Sequence, residues 1–194
     1  MTDQRGSAAV VCRAAEQVSS VLDACGLGMA ARIPVYVVQD LPAECPAHAL
    51  GYFDARDATV TIPDYAACVA LAGPEGRFGM PVTPALYESL IAHELVHAIV
   101  SQHQGESAMG RAGQEYLAYA IQLVTMPPSL RARILARYPQ ANPVLLGELS
   151  ETYLDLAPGR FAVKSYLNFV AQKDRCALIE DLMEGRRALR SGVR

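Results

Sequence analysis

The residues with the clearest chemical meaning form a His-Glu-x-x-His motif, His93-Glu94-Leu95-Val96-His97. On an α-helix, residues four apart share one face and lie about 6 Å apart along the axis, so His93 and His97 can hold one metal ion together. This geometry suits zinc, which lowers the pKa of a bound water to about 7. Glu94 follows the first histidine, where its carboxylate can take a proton from that water. The motif predicts metal-dependent hydrolysis with Glu94 as general base.

The flanks of the motif are uncharged, as a buried helix that presents two histidines to a cleft requires. The alternative is a core helix that carries these polar residues by chance. Burying a glutamate without partners costs several kcal/mol, which favours a metal site. The uncharged flanking residues are Ile91, Ala92, Leu95, Val96, Ala98 and Ile99.

A catalytic zinc ion needs a third protein ligand and keeps one position for water. Glu115 follows His97 after seventeen intervening residues, at the start of an apolar segment that can pack on the motif helix as a second helix. His103 follows His97 after five residues. It can bind only if the helix turns sharply at Val100, a β-branched residue that is strained in such a turn. The sequence favours Glu115, whose alternative role is to stabilise a helix N-terminus.

With Glu115 at this distance, the motif resembles the gluzincin branch of the zincin metallopeptidases, which includes thermolysin-like and aminopeptidase N-like enzymes. By that resemblance His93, His97 and Glu115 bind one zinc ion per chain. The resemblance also implies that Glu94 is the general base in the hydrolysis of a peptide or protein substrate.

The resemblance covers residues 50–125, and it is incomplete. It implies a small sheet whose edge strand pairs with the substrate backbone, and residues 58–62 match that strand. The Gly-x-Met-Glu-Asn segment of aminopeptidases is absent, because Pro81 follows Gly79-Met80. Thermolysin-like enzymes have an Asp four residues after the ligand Glu to hold a ligand histidine, whereas Tyr119 occupies that position here. We expect Tyr119 or a backbone carbonyl to take over this role.

Two further points stay open at the level of sequence. The donor that stabilises the oxyanion has four candidates, with a slight preference for the last: Tyr116, Tyr119, Tyr153 and Tyr166. The alternative function is a zincin-like module that binds metal or a partner without turnover, since 194 residues leave little room for a second lobe. A metzincin-like site with His103 as ligand is a third possibility.

Composition and charge describe one globular domain over residues 1–194, with residues 1–7 expected to be flexible. The net charge of -3 predicts no nucleic-acid partner. No apolar run reaches the roughly 18 residues that span a bilayer. We therefore expect a soluble protein, cytoplasmic if Met1 is the native start and exported or periplasmic if a signal peptide has been removed. The basic cluster is interpreted as a solvated helix end: Arg186, Arg187, Arg190 and Arg194.

The five cysteines contain no Cys-x-x-Cys pair, so a zinc ribbon is not supported. Cys12 and Cys25 cannot pair if one straight helix carries both, because about 20 Å would separate them. The four within the first 70 residues permit one or two disulfides in an exported protein, and buried free thiols are the alternative: Cys12, Cys25, Cys45 and Cys68.

The remaining patterns predict an α+β fold, in which a small N-terminal β-sheet packs on a mainly helical zincin-like core with a helical C-terminal part. Thr83 and Pro84 are a good N-cap and first residue for the motif helix, which is predicted to run to about Gln102. The predicted strands are 33–38, 49–53 and 58–62, the last two as a hairpin. The other predicted helices are 8–25, 64–71, 114–125, 129–138, 143–156 and 159–190, the last with a break left open.

Overall fold

The computed structural model describes residues 4–45, 49–104, 109–139 and 144–189. The fold is α+β, as predicted, with a small sheet near the N-terminus and a mostly helical body. Within the described residues, no helix combines the length and the apolar character needed to cross a lipid bilayer. The elements are α1 (Gln4–Leu22), β1 (Val35–Val38), β2 (Tyr52–Asp54), β3 (Thr59–Pro63), α2 (Tyr65–Ala72), α3 (Pro84–His103), α4 (Arg111–Thr125), α5 (Pro128–Arg137), α6 (Glu151–Leu156), α7 (Pro158–Ala171) and α8 (Arg175–Met183).

The motif helix α3 lies at the centre of the molecule and is buried over most of its length. It begins as predicted, with Thr83 accepting a hydrogen bond from a backbone N–H of the first turn and Pro84 as its first residue. The Tyr87 hydroxyl donates to the Pro63 carbonyl over 2.8 Å, which ties α3 to the end of β3. Two side chains of α1 each donate to Glu88 over 3.0 Å. The helix that carries the motif is thus held between the sheet and α1.

The sheet has the strand order β1-β3-β2. The predicted hairpin is confirmed, since β2 and β3 pair antiparallel. The prediction that residues 58–62 form the edge strand is wrong, because β1 pairs parallel with the other side of β3. β3 is therefore central, and its Val60 and Ile62 are buried in the core. β2 is the edge strand on the other side of the sheet.

The helices after the motif differ from the predictions at their ends. α4 begins at Arg111 rather than residue 114, with Gly110 as the N-cap whose carbonyl accepts hydrogen bonds from the N–H groups of Gly113 and Gln114. A Cβ at position 113 would lie 2.5 Å from the Met109 Cγ, so the first turn has room for Met109 only because residue 113 is glycine. The helix predicted over 143–156 is wrong in its described part, since residues 144–156 do not form one continuous helix. Ser150 caps a separate α6 after a short 3-10 turn at Leu146–Glu148. Asp174 caps α8, which places the break in the predicted helix over 159–190.

Two predictions concern the ends of the chain: the flexibility of residues 1–7 and the basic cluster near the C-terminus. α1 begins at Gln4 and so includes residues 4–7 of the segment expected to be flexible, and that flexibility stays a prediction. Residues 1–3 lie outside the described chain. Arg186 and Arg187 pair with Asp181, at 2.7 and 3.0 Å, at an exposed helix end as expected. The other two members of the basic cluster, Arg190 and Arg194, lie outside the described residues.

The cysteines follow neither of the two alternatives completely. Cys25 forms a disulfide with Cys176, which joins the turn after α1 to the second residue of α8. A bridge within the first 70 residues is therefore not formed. Three thiols are unpaired, of which Cys12 is exposed, Cys45 half-buried and Cys68 buried.

Candidate metal centre

Helices α3 and α4 pack against each other and bring the three predicted ligands together. The Nε2 atoms of His93 and His97 lie 3.2 Å apart. The Glu115 Oε2 lies 3.4 Å from the His93 Nε2, and the other carboxylate oxygen, Oε1, lies 3.5 Å from the His97 Nε2. In a tetrahedral zinc site with bonds of about 2.0–2.1 Å, neighbouring ligand atoms are roughly 3.3–3.4 Å apart. The two histidine nitrogens have the spacing of two corners of such a tetrahedron, and each has a different Glu115 oxygen at nearly the same distance. One ligand atom from each of the three residues lies within 4.8 Å of the other two, so the residues present fit zinc.

The charges in this cluster suit a divalent cation. Burial raises the pKa of Glu115, but hydrogen bonds from His93 and His97 outweigh it and hold that pKa well below its usual range. For His97, burial lowers the pKa, and the Glu115 carboxylate outweighs burial and raises it. Glu115 is therefore ionised at neutral pH. An ionised carboxylate between two imidazoles is a donor set that zinc accepts readily.

The partner of the first histidine is Gln122, which sequence reasoning missed. His93 Nδ1 lies 3.2 Å from the Gln122 Oε1, and the Gln122 amide donates to the Ser89 hydroxyl over 3.2 Å. Because the Gln122 Oε1 can only accept, Nδ1 of His93 carries a proton, and Nε2 would be the nitrogen that binds when a metal replaces its contact with Glu115. The expectation that Tyr119 or a carbonyl has this role is wrong. The signal in the sequence was an amide within the apolar run that follows Glu115, seven residues and two turns after it.

Replacing Gln122 by Leu is expected to lower zinc affinity about 10- to 100-fold, because the proton on His93 Nδ1 then has no acceptor and the ring is no longer oriented. The measurement is competition with a chromophoric zinc chelator. Gln114→Leu is the control, since that amide lies on the same helix but donates to the Met109 carbonyl. Equal zinc affinities for both variants would contradict a role of Gln122 in the centre.

Glu94 lies beside the three ligand residues without belonging to their cluster. Its side chain rests against Gly51, the residue before β2, where an added Cβ would lie 2.8 Å from the Glu94 Cγ. Gly51 is a second residue that sequence reasoning missed. Because position 51 carries no side chain, the Glu94 carboxylate has room beside the centre, as a general base requires.

The centre opens into a cleft of about 550 Å³. This volume falls in the range of small-molecule and peptide sites, about 300–1,000 Å³. Edge strand β2 forms part of the wall, together with α3, α4 and the loop before α3. Besides the residues of the centre, the lining includes Leu50, Tyr52, Phe53, Arg77, Gln104 and Arg111.

Of the four tyrosines considered as oxyanion donors, Tyr119 is the one among the lining residues. Its ring centroid lies 4.5 Å from that of His93. Burial raises the pKa of Tyr119 to about 12, so the phenol keeps its proton at neutral pH. The slight preference for Tyr166 is wrong. The other three tyrosines are engaged elsewhere: Tyr116 donates to Asn168, Tyr153 packs against Lys164, and Tyr166 packs against Arg131.

His103 lies apart from the metal cluster. It is the last residue of α3, and its Nε2 donates to the Gly28 carbonyl over 2.6 Å. Val100 is helical and buried, so α3 makes no turn after His97. The metzincin-like arrangement is not formed. His48, the remaining histidine, lies outside the described residues.

The fold and the centre define a small α+β protein with a candidate mononuclear metal site between two packed helices. The chain belongs to a family of unknown function (DUF6639), whose sequence profile it matches over residues 1–192. No curated protein and no solved structure matches the chain. Its function is therefore inferred from the site itself.

Proposed function

We propose that this protein is a zinc-dependent metallopeptidase that hydrolyses peptide bonds. The observation that supports this most is the cluster of His93, His97 and Glu115, in which one ligand atom from each residue lies within 4.8 Å of the others, with Glu94 beside them in one cleft. Zinc bound there would polarise the substrate carbonyl and make a water molecule acidic near neutral pH.

The chain supplies the remaining steps from its own residues. Glu94 takes a proton from the attacking water as the new C–O bond forms, and it delivers that proton to the amine as the C–N bond breaks. Tyr119, protonated and packed on His93, is the tyrosine best placed to donate to the oxyanion. β2 is an edge strand beside Gly51 and offers backbone groups that an extended peptide can pair with.

The test is elemental analysis of the purified protein together with hydrolysis of a mixed peptide library. We expect about one zinc ion per chain and cleavage that a chelator abolishes and added zinc restores. A protein that purifies without zinc and takes none up from a zinc buffer would overturn the proposal. Zinc at one per chain without cleavage of any library member would favour a binding module instead.

A further inference from the structure

Arg77 lines the same cleft as the metal ligands and is half-buried there. Where the structure describes the chain, no carboxylate lies within 4 Å of the Arg77 guanidinium, whereas the other arginine of the cleft, Arg111, bonds to Asp155 over 2.7 Å. Glu94 and Glu115 already have roles in the centre. Arg77 is therefore a cation that faces the cleft without an anionic partner from the described protein.

A tight turn holds Arg77 in this place. The backbone N–H groups of Arg77 and Met80 donate to each other's carbonyls over 3.0 and 3.1 Å. Phe78 and Gly79 between them have φ values of 58° and 64°, which form a type I′ turn. A bulky residue such as Phe78 is unfavourable in this left-handed region. Its ring is buried, with 4% exposed, and packs against Tyr119. Burial of the ring offsets the cost and fixes the turn.

The contacts of Arg77 leave most of its donors for a ligand. Its Nη2 donates to the Tyr119 hydroxyl, and its guanidinium carbon lies 5.7 Å from the centre of the Tyr119 ring. A guanidinium has five N–H donors, and the described residues accept no other hydrogen bond from this side chain. Its remaining forked donors match the two oxygens of a carboxylate.

We propose that Arg77 binds the C-terminal carboxylate of the substrate, so that the enzyme releases the C-terminal residue of a peptide. This inference rests on the proposed function. Tyr119 contacts both His93 and Arg77, so the guanidinium lies one side chain away from a residue of the centre, in the same cleft. In an extended peptide, the carboxylate of the residue after the scissile bond lies roughly 3.5 Å beyond the reacting carbonyl. Water supplies the hydroxyl of the new carboxylate and the proton of the released amine, and no other reactant is needed.

The experiment compares two pools of N-acetylated tripeptides with mixed sequences, one of free acids and one of C-terminal amides. The pools are dialysed to equilibrium against the Glu94→Gln protein, with and without zinc, and the retained peptides are measured by mass spectrometry. We expect the acids to bind about 10- to 100-fold more tightly than the amides. The Glu94→Gln protein that also carries Arg77→Gln should lose this preference and bind the amides as before. Glutamine at position 77 keeps an N–H group that can donate to the Tyr119 hydroxyl. Arg111→Ala is the control and should keep the preference.

Rates on the same pools separate this inference from the proposed function. With the unaltered zinc-loaded enzyme, free acids should lose one C-terminal residue, and Arg77→Gln should slow this about 10- to 100-fold without changing amide cleavage. Arg77-dependent binding of acids without cleavage would overturn the peptidase and retain the carboxylate site. The carboxylate site would be overturned if the protein that retains Arg77 bound acids no more tightly than amides. It would also be overturned if Arg77→Gln and Arg77→Ala reduced the cleavage of both pools equally.

Discussion

If the proposed function holds, the Glu94→Gln protein is expected to hydrolyse peptides about 10²- to 10⁴-fold more slowly while it keeps about one zinc ion per chain. Glutamine has nearly the shape of glutamate, so it fits the space beside Gly51, but it cannot accept a proton from water. Zinc content should be unchanged, because Glu94 lies outside the cluster formed by His93, His97 and Glu115. The measurements are initial rates on a peptide cleaved by the unaltered enzyme, and elemental analysis of the same samples.

Glu88→Gln is the matched control. Glu88 lies on the same helix, but it faces α1, where Arg13 and Gln17 donate to it. This variant should keep full activity. An unchanged rate in Glu94→Gln would show that Glu94 is not the base. Loss of zinc in Glu94→Gln would show that Glu94 takes part in binding the metal.

The second large effect is expected from Glu115→Ala, which removes one of the three proposed metal ligands. Zinc affinity should fall by more than about 100-fold, since even loss of a hydrogen-bond partner of a ligand costs about 10- to 100-fold. The stabilisation by zinc should vanish with it. At a free zinc concentration of about 100 times Kd, that stabilisation is about 2.7 kcal/mol of unfolding free energy. Zinc content per chain and thermal melts with and without zinc measure both quantities.

His103→Ala provides the comparison for Glu115→Ala. His103 bonds to Gly28 at the end of α3, so this variant should bind zinc like the unaltered chain. If zinc were lost in His103→Ala and retained in Glu115→Ala, the ligand set would be wrong, and the metzincin-like alternative would have to be reconsidered.

Much of the centre could be predicted because its signals are local in sequence. The spacing of His93 and His97 defines one helical face, and Thr83-Pro84 defines where that helix begins. Glu115 was predicted as the third ligand because its charge stands at the start of an otherwise apolar segment. The hairpin of β2 and β3 was also predictable, since its strands are joined by a short turn.

The parts that were missed depend on packing between distant segments. The position of β3 in the sheet is set by β1, which pairs with it across more than twenty residues. Gln122 became recognisable as the partner of His93 only when α4 was packed on α3. Arg77 sits in a loop rich in glycine and proline, and its direction follows from the left-handed conformation of Phe78. None of these relations leaves a periodic pattern in the sequence.

The bridge between Cys25 and Cys176 has a consequence for how the protein is made. The two cysteines are 151 positions apart, so the first leaves the ribosome long before the second. Cys12, Cys45 and Cys68 are all synthesised before Cys176. In an oxidising compartment, any disulfide that Cys25 forms within the chain before Cys176 has been synthesised is non-native. Correct pairing therefore depends on late oxidation, or on exchange of early mispaired bonds by thiol attack once α8 is complete.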